Sequence, residues 1–127
     1  MDASLKGRTA LVVEDDWIVR QSIVNELQDA GFTVLEAATG GGALTILRDR
    51  QTVDLLVTDI HLTDAVTGWD IAEAFRGTNA KLPVVYASGN PSNDHRRVAG
   101  SIFLEKPVEL SKLVKACREL SIQSISR

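Results

Sequence analysis

The chain has a single cysteine, Cys117, and that scarcity excludes an intrachain disulfide and a cysteine-based zinc cluster. A reducing, cytoplasmic setting is the expectation. No apolar run approaches the roughly 18 residues of a membrane span, and the first residues, MDASLKGR, lack the apolar stretch of a signal peptide. A soluble protein is expected. Nor is positive charge in excess: 14 Lys and Arg against 17 Asp and Glu leave a formal net charge of -3, with the cations scattered along the chain. Binding to a phosphate backbone is thereby disfavoured as the main activity, and neither nucleic acid nor a membrane is expected as a partner. Repeats, low-complexity tracts and interdomain linkers are missing too. Residues 1–127 are read as one domain, with a core from about residue 9 to about residue 120 and no output domain. A chain of this size buries about two-thirds of its unfolded surface, enough for a core without staples.

What the chain does have is a set of short apolar runs that stop at polar residues. Leu55-Leu56-Val57-Thr58-Asp59 is the central one: its apolar residues suit a strand buried on both faces of a parallel sheet, with Asp59 at the carboxyl edge. Open α/β sheets bind their ligands at that edge. Thr9 to Val13 likewise ends at Glu14-Asp15-Asp16, Phe32 to Ala37 reads as a strand, Val84 to Ala87 ends at Ser88, and Ser101 to Leu104 precedes Lys106. Between them apolar residues recur at helical spacing: Val19, Ile23, Leu27 and Ala30 before Gly31; Ala43, Leu44 and Leu47 after the cap Thr39; Trp69, Ala72 and Phe75; and Leu110, Leu113, Val114 and Cys117 between Glu109 and Leu120. The segment GNPSNDHRRVAG at 89–100 has little apolar face, so a fourth helix there is expected to be short or mobile, and the tail SIQSISR is expected to fray. This alternation predicts an α/β fold, a five-stranded parallel sheet with helices on both faces.

On such a sheet Glu14, Asp15 and Asp59 share one edge, a cluster of like charges that requires a cation. Hard oxygen ligands suit Mg2+, which keeps open positions for water and a phosphate oxygen, so the arrangement fits phosphoryl transfer. Asp59 is then the nucleophile, Lys106 the cation that meets the developing charge, and Ser88 a hydroxyl donor from the fourth strand end. One strand-end carboxylate is more often a cap or a surface residue. Such residues on four strand ends are harder to explain as caps.

With these residues in view, the chain resembles the CheY-like receiver domain of bacterial two-component response regulators. The resemblance runs from Thr9 to Leu120 and rests on LVVEDD, LLVTD, LPVVYAS and FLEKP. It implies a flavodoxin-like, doubly wound (βα)5 fold. It also implies that Asp59 is the phosphoacceptor, that Glu14 and Asp15 hold Mg2+ together with Asp59 and the backbone carbonyl of His61, and that Lys106 contacts the phosphate. Ser88 and Phe103 are the implied switch residues, Asp16 is a bystander, Arg20 falls where the family often has arginine, and Lys106-Pro107 is expected to be cis. The implied partners are a histidine kinase or histidine phosphotransfer protein and a downstream protein target; a homodimer stays open. Two departures stand out. The loop DIHLTDAVTGWD has Thr63 where proline is usual and is one residue longer before Gly68, and the stretch from Ser88 to Phe103 is about one helical turn short. The Gly89 that follows Ser88, with a weak fourth helix, is similar to atypical single-domain regulators of alphaproteobacteria.

Two other functions fit parts of the sequence. DIHLT resembles the nucleophile motif of haloacid-dehalogenase-like phosphatases, with His61 in place of the second aspartate, and a phosphorylation-independent interaction module would keep the fold alone. Thr39-Gly40-Gly41-Gly42 is read as a loose helix start, since no Lys-Ser or Lys-Thr pair follows to make a phosphate loop. Trp69 is read as structural, Cys117 as core and His95 as solvated. Trp17 is open between a lip of the site and packing against the loop.

Overall fold

The computed structural model describes residues 5–89 and 96–125. Five short runs form parallel strands: β1 (Thr9–Val13), β2 (Thr33–Ala37), β3 (Leu55–Thr58), β4 (Val84–Ser88) and β5 (Ile102–Glu105). They lie in the order β2-β1-β3-β4-β5, with Val13 beside Thr58, Thr58 beside Tyr86 and Ser88 beside Glu105. This is the doubly wound order: the chain leaves β1 to one side and returns to β3 on the other, which opens a crevice between their carboxyl ends.

Alternation along the strands divides the core. Ala10, Val12, Leu55, Val57 and Val85 face one layer, formed by α1 (Trp17–Asp29) and α4 (Leu110–Ile125). Leu11, Val13, Leu56, Val84 and Tyr86 face the other, formed by α2 (Gly40–Arg48) and α3 (Gly68–Thr78). All four residues of β3 are buried, as the apolar run implies. Each fully buried leucine or valine contributes roughly 1.5–3 kcal/mol, so this two-layer burial is the main force holding the strand ends in register.

The helices begin at identifiable caps. Asp16 accepts hydrogen bonds from Ile18 N (3.0 Å) and Val19 N (3.2 Å) at the start of α1, so the expected bystander has a structural task. Thr39 accepts from Gly42 N at 2.9 Å to start α2, and Thr67 forms a reciprocal capping box with Asp70 at α3.

Three expectations are corrected. Phe32 lies before β2 and is buried against the α1 layer, its N–H donating to Leu27 O at 3.0 Å. The fifth strand runs one residue later than the apolar run suggested, through Glu105. The tail does not fray directly after Leu120: α4 continues to Ile125, with Ile122 packed on the α1 layer. Residues 90–95 of the expected fourth helix, His95 among them, lie outside the described residues, and the described remainder, 96–100, contains no α-helix.

Candidate functional site

The strand ends deliver their polar residues to one place. Glu14 follows β1 directly and Asp59 follows β3; Asp59 N donates to Val13 O at 3.0 Å, which carries the pairing of the two strands one residue past their ends. Ser88 is the last residue of β4 and is buried, and Lys106 follows β5, its N–H donating to Ser88 O at 2.9 Å.

Lys106 Nζ sits between two carboxylates, 2.6 Å from Glu14 Oε1 and 2.9 Å from Asp59 Oδ2. Both acids are largely removed from water, Glu14 at 2% and Asp59 at 8% exposure. Asp59 Oδ1 accepts from Ile60 N at 2.6 Å, so each of its carboxylate oxygens has a donor. Glu14 Oε2 accepts from Asp16 N at 3.2 Å, and its carbonyl accepts from Arg20 Nη1 at 2.7 Å. Arg20 also pairs with Glu36, so this arginine fixes the Glu14 backbone and leaves the carboxylate to Lys106.

Burial pushes the Glu14 carboxyl above its ordinary range, the hydrogen bond from Lys106 pulls it back, and Asp15 and Asp59 push it up again. The Lys106 ammonium is lowered by burial, but its bonds to Glu14 and Asp59 outweigh that, and the net direction is up. One lysine does not balance the charge of the acidic group. Oxygens of Glu14, Asp15 and Asp59 lie within 4.8 Å of one another, a hard-oxygen set that can hold a metal ion.

His61 is exposed in the loop after β3. Phe103 is half-buried on β5, stacked on Trp69 with centroids 6.2 Å apart and an interplanar angle of 22°. Trp69 in turn lies 4.7 Å from the Tyr86 ring, in keeping with a structural role. Trp17 is 66% exposed beside the acidic cluster, and the neighbouring Ile18 is 61% exposed. Lys106-Pro107 is cis.

Two residues escaped the sequence reading. A Cβ at Gly68 would lie 2.0 Å from Asp59 O, so α3 starts in direct contact with the Asp59 backbone, and only glycine fits there. Asp64 accepts from Gly40 N (3.0 Å) and Gly41 N (2.8 Å), joining the β3–α3 loop to α2. The sequence signal for that contact was a helix beginning with three glycines and no acid in its first turn.

Among known proteins, the family model described as "Response regulator receiver domain" matches residues 10–118. SphR, the alkaline phosphatase synthesis transcriptional regulatory protein of Synechococcus elongatus, is 34% identical over 87% of this chain, which spans 47% of that protein. The sensor kinase CckA of Brucella abortus is 32% identical over 88% of this chain, which spans 12% of it. The crystal structure of a response regulator receiver protein from Sinorhizobium medicae aligns with a TM-score of 0.89 at 31% identity, covering 94% of this chain and 98% of that one. A match running from the first strand into the last helix, on a fold shared at that identity, makes this chain a member of the response regulator receiver domain family.

Proposed function

We propose that this receiver takes a phosphoryl group from a phosphohistidine onto Asp59 in a two-component phosphorelay and signals by a change of conformation. The observation that carries the reading is the placement of Lys106 Nζ between Glu14 and Asp59 at the carboxyl end of β3. In the transfer, an Asp59 carboxylate oxygen forms the new O–P bond as the N–P bond breaks, and the electron pair leaves with the histidine imidazole. Lys106 keeps its charge through this step, since its ammonium is raised above its ordinary value, and it faces the negative charge on the phosphoryl oxygens. Ser88, at the end of the adjacent strand, supplies a hydroxyl to the acyl phosphate, and Phe103 reports the change on the far side of β5.

Glu14, Asp15 and Asp59, with the backbone carbonyl of His61, are the residues that would hold Mg2+. Bound there, the ion would neutralise charge on the transferring phosphoryl group. The domain acts on itself, accepting and later losing one phosphoryl group, and works in the cytoplasm with a histidine kinase or phosphotransfer protein as donor. Similarity to part of the sensor kinase CckA supports a kinase-linked partner.

Incubation with Mg2+ and acetyl phosphate, followed by intact mass, tests the reading. One phosphoryl adduct is expected on the parent and none on Asp59→Asn, with the variant still folded. An unmodified parent, or adduct formation at the parental rate in Asp59→Asn, overturns it; rapid turnover of varied phosphate esters points to a phosphatase instead.

A further inference from the structure

The loop between β3 and α3 carries His61 and joins Asp59 to Gly68, and its length and composition leave it without an obvious restraint. It has threonine at position 63 and several exposed residues, His61, Thr63, Asp64 and Ala65. Its base is closed by Gly68 N donating to Ile60 O at 2.9 Å. Its tip is held from a different element. The two oxygens of Asp64 accept separately from Gly40 N at 3.0 Å and Gly41 N at 2.8 Å, the first amides of α2. These are groups that a helix leaves without intrahelical partners, at the end where its dipole favours an anion. Helix α2 has no acidic residue in its own first turn, so Asp64 is the carboxylate that serves it.

Next to this bond, Val66 leans on Gly40 so closely that a Cβ there would sit 2.5 Å from Val66 Cβ. Val66 also packs against the α2 and α3 core. Gly40 and Gly41 at the start of α2 thus receive the loop, through their amides for Asp64 and the missing side chain of Gly40 for Val66.

We propose that Asp64 is a positioning residue for the metal site: by fastening the loop tip to α2 it holds the His61 backbone in the conformation that binds Mg2+. This rests on the magnesium and phosphoacceptor reading of the same edge. Asp64 bonds to the start of α2 rather than to Glu14, Asp15 or Asp59, so it acts through the loop. Releasing the tip lets the loop sample other conformations, and the apparent metal affinity falls in proportion to the fraction that stays competent.

The experiment measures Mg2+ binding by calorimetry and amide exchange of residues 61–66 without metal, in the parent and in Asp64→Ala. Expected are faster exchange across the loop and a Kd about fivefold higher, as when the competent conformation is populated about a fifth of the time. Phosphorylation by acetyl phosphate should return to the parental rate at saturating Mg2+, because no reacting group has changed. Asp64→Asn keeps one acceptor oxygen for the two amides and should fall between the two. Val114→Ala, a packing change on α4 away from the site, should lower Tm without moving the Kd. A parent that binds Mg2+ with an Asp64→Ala variant of equal Kd and equal loop exchange overturns this inference alone. A parent that binds no Mg2+ overturns the site reading and this inference with it.

Discussion

Glu14 carries an electrostatic conflict, since its carboxylate is buried beside Asp15 and Asp59 and its compensation comes from Lys106 at 2.6 Å. Its folded pKa is raised, so its contribution to stability is greatest at acid pH and is lost as pH rises through that raised value. Lys106 is raised as well, so its contribution is fully present at neutral pH and is lost only in alkali. Replacing Lys106 by alanine leaves both carboxylates facing each other without their shared cation. The lysine side chain is 28% exposed, which softens the loss to about 1–3 kcal/mol near neutral pH in the absence of metal. That deficit should shrink as pH falls from neutral into the window just above the ordinary carboxylate range, because Glu14, freed of the Lys106 hydrogen bond that lowers it, rises further and takes up a proton. Asp64 and Asp70, both lowered by donated hydrogen bonds, titrate below that window and do not confuse the comparison. Urea midpoints of parent and variant at several pH values decide it, and a deficit that grows on acidification would refute this account of Glu14. Single residues of this kind were readable in the sequence because each ends an apolar run, which places it on the strand edge by local pattern alone. Asp64 was not, because its partners are backbone amides 23 and 24 residues away and any carboxylate-length side chain in that loop looks solvated.

At the scale of elements, the connection between β4 and β5 shows what counting apolar residues leaves out. Having only Val98 and Ala99 to bury, residues 89–100 read as a segment that opens easily. Its described end is nonetheless fastened by polar bonds: Arg96 Nη2 pairs with Asp70 at 3.0 Å and Glu73 at 2.8 Å, Arg76 Nη2 donates to Ala99 O at 2.8 Å, and Val98 N donates to Tyr86 Oη at 3.1 Å. Each bond comes from α3 or β4, so none is visible in the local sequence. Tyr86→Phe isolates the last of them. Val98 is half-buried, so its N–H would lose its acceptor at a cost of about 1 kcal/mol, while the ring contacts with Trp69 and Phe103 persist. Amide exchange at Val98 should accelerate with little change in the β1 and β3 amides. Unchanged protection at Val98 would mean that the hydroxyl does not hold this turn. The extension of α4 to Ile125 likewise depends on a distant partner: a tail of serines and isoleucines looks weak until Ile122 is found against the α1 layer.

For the molecule as a whole, the five strands and the helices α1, α2, α3 and α4 follow from periodicity, because a strand buried on both faces and a helix with one apolar stripe leave different patterns. Strand order does not follow from periodicity, and it came through the resemblance; the register then brings Glu14, Asp15 and Asp59 together at the β1/β3 crevice. A fold that gathers three carboxylates this way carries stored repulsion, which a divalent cation relieves only in the folded state. Added Mg2+ should therefore raise stability by mass action, by about 2.7 kcal/mol at roughly a hundredfold excess over Kd. For a domain of this size that is a shift in Tm of about 10 °C. Asp15→Asn makes the opposite case: it takes one negative charge from the cluster, so without metal it should be at least as stable as the parent, and its Tm should respond weakly to Mg2+. Thermal melts of both proteins across a magnesium titration, with calcium-free buffer and constant ionic strength, measure the two effects together. Parallel curves for parent and variant would show that any stabilisation comes from general screening rather than from an ion held by Glu14, Asp15 and Asp59; a rising parent beside a nearly flat variant requires that the gathered carboxylates bind it.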